Sequence, residues 1–434
     1  MKNKPSLWSA APAAGRNFLI LVLTLRIASY FMLSDNLVLV QTLKAGLRIA
    51  LTFLLFISVF FQQRKVAAGS ATLANPLPIW LYGLYLLFGA ASLLWSSSFS
   101  ASLLQWLMDA EGFLFAFLYI RLLLMWRQQH PGDAFSLQRL IAPAVVLTGF
   151  CFAAGLLLDP DHFYRLTHGG SVSRLGGYII NPNELGMLFV IGITCLLPRV
   201  QQDKKWRISI LLAMGMLVQL LLLTGSRSSF IALMLVLLMY AFANGKRLHR
   251  VLFFAVALAL IPFAGWSFFV KQDQLSELIT LTGRLPFWHD LLTYNFPREP
   301  WLGYGYMRID YADKFESLNA YAGAMTHNTF LQVLLGLGLV GFSIVLVQLA
   351  VFFWTLRRVA DRSSRFMSGL LMIPLLINSM TEFGIFGETN YGILFYLFLV
   401  FSLAAEPLGE RRRIKGHTGH ENPGNLPYRS ASFT

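Results

Sequence analysis

Three arginines and one histidine have the types and surroundings for chemistry on a phosphate-bearing substrate. Arg174 lies in SRLGGYIINPNELG, Arg227 in LLTGSRSSF, Arg284 in LITLTGRLPFWHD and His327 in GAMTHNTFLQ. Each sits beside a long apolar stretch, and the arginines have glycine neighbours (Gly176, Gly177, Gly225 and Gly283) that let backbone approach a bulky anion. A guanidinium offers planar, paired donors and keeps its charge, so three held on one side of a membrane suit a phosphate-rich headgroup. A histidine among them is a candidate general base. Each residue also has a plainer role open to it: an arginine near a helix end can snorkel to lipid phosphates, and a lone interfacial histidine can be structural. Arg227 resists the plainer role best, because its Thr-Gly-Ser turn leaves the connection between two apolar stretches almost no slack.

The elements that must position these side chains are membrane helices. The chain has 434 residues, 56% of them hydrophobic and only 13% charged, against roughly 25% charged in an ordinary soluble domain. A soluble multidomain enzyme is excluded. A bilayer core needs about 20 apolar residues per helix, and candidate spans fall near 17–33, 43–61, 77–95, 101–120, 138–158, 179–198, 207–223, 229–244, 250–269, 328–355, 366–382 and 389–405. The stretch at 101–120 is the weakest, since Asp109 and Glu111 interrupt it; with Arg26 they are expected to pair inside the bundle.

Charge placement gives an orientation. Most of the 35 Lys and Arg residues fall in alternate loops, which places both termini in the cytoplasm. The opposite loops carry few, among them Arg165, Arg174, Arg227 and Arg284. This asymmetry accounts for the formal charge of +14, so no nucleic-acid partner is expected. The two cysteines, Cys151 and Cys195, lie in apolar runs and make no disulfide framework. The reading is of an all-α polytopic membrane protein of about twelve transmembrane helices, divided into a cytoplasmic N-terminus (1–16), spans one to nine (17–269), a large outer loop subdomain (270–327), spans ten to twelve (328–405) and a polar cytoplasmic tail (406–434). The N-terminus reads as a first anchor, not a cleaved leader.

The elements RLGGYIINPNELG, TGSRSSF, TGR…W…PWLGYGY and THNTFLQ…GLGLVG resemble, in order, the signature of the superfamily of O-antigen ligases, O-antigen polymerases and O-oligosaccharyltransferases. The resemblance implies a C-type glycosyltransferase-like membrane fold whose large periplasmic loop lies between spans nine and ten. It implies a multi-pass protein of the bacterial inner membrane, transferring glycans from undecaprenyl pyrophosphate at the periplasmic face. By the same resemblance Arg227 and Arg284, with Arg174 as a third contact, would hold the pyrophosphate, and His327 would be the base. Asn181, Asn183 and Asn328 match family positions too, with packing or helix capping an equally good account of them.

The leading expectation is therefore an O-antigen ligase of lipopolysaccharide biosynthesis, using undecaprenyl-pyrophosphate-linked O-antigen and lipid A–core oligosaccharide within membrane lipids. An O-antigen polymerase or a protein O-oligosaccharyltransferase would use the same donor; a flippase for lipid-linked glycan fits less well, because the candidate charges cluster on one side. No cofactor and no metal are expected. Asp159-Pro160-Asp161 spells a metal-binding pattern, but Pro after a helix end is a common turn signal, and fixed arginines can replace the cation. His162 and His289 are the rival bases.

Overall fold

The computed structural model describes residues 12–32, 36–64, 73–130, 136–167, 172–243, 283–306, 326–387 and 389–408, with positions 247, 250, 251 and 254. The fold is mostly helical. Its elements are α1 (Pro12–Ala28), α2 (Leu37–Gln63), α3 (Leu77–Ala91), α4 (Phe99–Gln129), α5 (Leu137–Leu158), α6 (Pro160–Phe163), β1 (Tyr164–Thr167), β2 (Val172–Leu175), α7 (Pro182–Leu196), α8 (Arg199–Gln202), α9 (Arg207–Thr224), α10 (Arg227–Ala243), α11 (Arg284–Asp290), α12 (Thr329–Arg358), α13 (Arg362–Thr381) and α14 (Tyr391–Ala405). Helices therefore lie at eleven of the twelve candidate spans; at 250–269 the described positions 250, 251 and 254 are helical, and the others are outside the described residues. So are most of 270–327, residues 1–11 and the tail from 409.

Six helical stretches among the described residues are long and apolar enough to cross a membrane: Leu39–Gln63, Leu77–Leu94, Leu137–Leu158, Pro182–Gln202, Lys204–Thr224 and Thr329–Arg358. Their outward faces stay apolar, as in α2, where Leu43, Ile49 and Phe53 are exposed. Such a surface suits lipid and would be a liability in water. The interior around α7 is packed instead, from Leu185 through Leu196.

The weak stretch at 101–120 is one uninterrupted helix, α4, and its acids are satisfied in place. Arg26 of α1 holds Glu111 with two hydrogen bonds, of 2.8 and 2.6 Å. Asp109 accepts from Tyr306 at 2.6 Å and from Thr389. Removing one partner of a buried pair typically costs about 3–5 kcal/mol, so these acids fix α4 against α1 and the chain's later segments.

An all-helical reading needs one correction. Tyr164–Thr167 and Val172–Leu175 form an antiparallel ladder with Arg165 opposite Arg174. Asp159 and Pro160 end α5 and open the single turn of α6, and the alternating YRLT and VSRL segments then pair. Asp159 caps that turn, accepting from the His162 amide.

Two glycine-rich motifs explain each other. Helix α12 breaks at Gly338, which has φ 62°, a left-handed conformation costly for other residues. Around the break, Tyr304 and Gly305 donate their amides to the carbonyls of Leu335 and Gly336, and Leu339 and Val340 donate to Pro300 and Trp301. The PWLGYGY segment thus supplies the hydrogen bonds that the broken helix loses. A side chain on Gly338 would run into the Trp301 backbone.

Candidate functional site

The site forms where helix ends meet. Asn181 and Pro182 open α7, Thr224 closes α9, Arg227 opens α10, His327 and Asn328 precede α12, and Glu382 follows α13. Helix termini leave backbone groups unpaired, and side chains here satisfy several of them. Asn328 accepts from the amides of Phe330 and Leu331, both at 3.0 Å, and donates to the Met380 carbonyl. Asn181 accepts from the Asn183 amide at 2.8 Å. Thr329 ties the two strands of chain together, donating to the Glu382 carbonyl and accepting from the Gly384 amide.

Glu382 is the hub. Its side chain is 3% exposed. One oxygen, Oε2, meets His327 Nδ1 at 2.7 Å and Asn181 Nδ2 at 3.3 Å. The other, Oε1, accepts from Asn183 Nδ2 at 2.7 Å and Arg284 Nη2 at 3.1 Å. Arg284 also donates to the Thr381 carbonyl at 2.6 Å. Burial alone would raise this carboxyl's pKa; the hydrogen bond and electrostatic pull of His327, then the Arg284 charge and the Asn183 bond, overcome it and hold the pKa below the usual value. Glu382 is thus a carboxylate, a fixed anion among cations.

Arg174 is held from both sides, donating through Nε to the Thr224 carbonyl and through Nη2 to Asn183 Oδ1, each at 2.7 Å. Asn183 therefore bridges Arg174 to Glu382. Burial lowers the Arg174 pKa, Glu382 opposes the fall, and repulsion from Arg227, Arg284 and Arg165 adds to it, leaving about 10. The group still carries its charge at neutral pH. Arg227, Arg284 and Arg165 are thus near enough for their charges to be felt at Arg174. Arg227 is half-buried at the start of α10.

His327 has φ 44°, an uncommon conformation for a residue with a side chain. Such strain persists only where the surroundings enforce it, and here Glu382 and the capped start of α12 do so. With Nδ1 turned to a carboxylate, the ring presents its other nitrogen away from that bond. The rival histidines are elsewhere: His289 is 72% exposed beside Asp290, and His162 lies in the α6 turn.

The expected residues His327, Arg284, Asn181 and Asn183 are thus gathered by direct bonds, Arg174 joins through Asn183, and Asn328 serves the helix cap. Glu382 was not among them. Its signal in the sequence is faint: a lone acid in SMTEFG, at the end of an apolar run, with no motif around it. What could have found it is the need of several arginines beside apolar stretches for a buried counter-charge.

Comparison with known families bears on the same residues. Residues 212–346 match the O-antigen ligase family. The matched O-antigen ligase stretch includes Arg227, Arg284, His327 and Asn328, and the resemblance read from the motifs holds over it. Arg174, Asn181, Asn183 and Glu382 lie outside that stretch and are tied to it by the bonds above. No curated protein matches the chain.

Proposed function

We propose that the chain is an O-antigen ligase, moving a glycan from undecaprenyl pyrophosphate to a hydroxyl of lipid A–core oligosaccharide at the periplasmic face of the inner membrane. The observation that carries this reading is the Glu382 hub, which holds a histidine with one nitrogen anchored beside clustered arginines. With Nδ1 donating to Glu382, His327 Nε2 is the acceptor for the proton of the attacking hydroxyl. The hydroxyl oxygen bonds to the anomeric carbon as the bond to pyrophosphate breaks. The electron pair leaves with the pyrophosphate oxygen, and the proton passes to Nε2.

General-base help of this kind contributes about 10²–10⁴-fold. Arg284, Arg227 and Arg174 meet the charge building on the leaving group; one lost contact of this type costs on the order of 3 kcal/mol. Glu382 touches neither reacting atom and acts as a positioning residue, setting the imidazole tautomer and restraining Arg284. A single in-line displacement inverts the anomeric centre. Fixed guanidinium groups fill the part a divalent cation plays in other transferases, so the reaction proceeds with EDTA present.

The deciding experiment offers three acceptors side by side to purified protein loaded with lipid-pyrophosphate glycan: lipid A–core, a lipid-linked repeat unit and a serine-bearing pilin-like peptide. The ligase reading predicts conjugation to lipid A–core. Product on the repeat unit alone would make the protein a polymerase, and product on the peptide alone an O-oligosaccharyltransferase.

A further inference from the structure

Arg48 of α2 has no place in the transfer site, yet it is only 5% exposed. Its guanidinium carbon lies 4.2 Å from the centre of the Tyr30 ring. That contact occupies the flat face and leaves the edge donors open. Nε is buried without a partner, and no hydrogen bond or ion pair reaches this guanidinium among the described residues. The nearest acid is already used. Both Glu111 oxygens are held by Arg26, and Oε1 also accepts from Thr52, one helical turn beyond Arg48 on the same face.

A buried cation in a membrane helix marks a functional site by default. Here the unpartnered donor says what would complete it. Arg48 lacks an acceptor, and planar paired donors fit a phosphate oxyanion. Little of the side chain meets water, and exposed Leu43, Ile49 and Phe53 on the flanks of α2 are apolar.

We propose that Arg48, stacked on Tyr30, forms a second site that binds the phosphate of a membrane lipid. It lies behind the transfer site: Tyr30 also packs edge-on against Tyr391 at 5.8 Å, and Tyr391 follows Asn390, whose amide holds the Phe383 carbonyl beside Glu382. The proposal concerns binding and stands whether or not the transferase reading does.

Native mass spectrometry and thermal melting of the full-length protein in detergent test it. Wild type, Arg48→Met and Arg48→Lys are each given phosphatidylglycerol, a short-chain polyprenyl diphosphate or, as the phosphate-free control, diacylglycerol. Wild type is expected to bind at least one phosphate-bearing lipid and to melt higher with it, while diacylglycerol does nothing. Arg48→Met is expected to melt no lower than wild type without lipid, and either to bind phosphatidylglycerol at least tenfold more weakly or to carry one diphosphate fewer, the transfer site keeping its own. Loss with phosphatidylglycerol identifies a headgroup, and loss with the diphosphate identifies a carrier lipid. If Arg48→Met does not fold, Arg48→Lys, which keeps the charge and loses the paired donors, must show the same loss. Unchanged phosphatidylglycerol affinity together with an unchanged number of bound diphosphates in the folded variant overturns the proposal.

Discussion

His327 Nδ1 lies 2.7 Å from Glu382 Oε2, joining a residue at the start of one long helix to a residue just past the end of the next. The bond fixes which imidazole nitrogen is turned away from the carboxylate, and the same carboxylate restrains Arg284. Glu382→Gln keeps an acceptor for Nδ1 and removes the charge. Turnover is expected to fall by about 10²-fold or more, with donor affinity changed far less, as steady-state kinetics with titrated donor would read. An equal fall in affinity, with turnover kept, would place Glu382 in ground-state binding alone.

Glu382→Ala is harsher. It strands Arg284 beside an emptied, buried position, and losing one partner of such a pair costs about 3–5 kcal/mol. Thermal or denaturant unfolding in detergent should show a clear drop, larger than that of Glu382→Gln. Equal stability of the two variants would contradict the counter-charge role.

The depressed pKa of Glu382 sets a pH signature. A carboxyl whose folded pKa lies below its unfolded value of about 4.3 binds fewer protons folded than unfolded. Its stabilising contribution is therefore complete above the unfolded value and is lost as pH falls through the folded one. Wild-type melting temperature should fall on acidification below about pH 4 more steeply than that of Glu382→Gln. Parallel curves would refute the assignment.

At the break in α12, Gly338→Ala meets both an unfavourable φ and the Trp301 backbone. The cost should be about 1–3 kcal/mol, and the 300–306 segment should lose its hold on α12. Limited proteolysis would read this as new cleavage there. Undiminished protection would mean that the segment is held by other contacts.

Much of this was legible in the chain, for identifiable reasons. Apolar stretches of bilayer length mark helices regardless of their partners, so α2, α5 and α9 follow from composition. That Arg26, Asp109 and Glu111 find partners inside the bundle follows from the cost of an uncompensated charge among apolar side chains; which acid Arg26 would take does not. Arg174, Arg284 and His327 could be singled out because each interrupts or borders an apolar run with a group that has a chemical use, and bonds through Glu382 and Asn183 bring the three together. Three features were not. Glu382 carries no motif, and its importance arises only when segments 55 and 98 residues apart converge. The hairpin of β1 and β2 depends on a four-residue alternation too short to outweigh the helical signal around it. The motifs PWLGYGY and GLGLVG read as marks of a family, whereas the hydrogen bonds around Gly338 show that each also completes the backbone of the other.

The central claim is that His327 takes the acceptor's proton while the arginines hold the diphosphate. Single-turnover transfer from lipid-pyrophosphate glycan to lipid A–core, with wild type and His327→Ala compared after donor binding is verified, tests it most directly. The account predicts donor binding within a few-fold of wild type and a rate lowered by about 10²–10⁴-fold. A His327→Ala protein that transfers glycan at nearly the wild-type rate would contradict it.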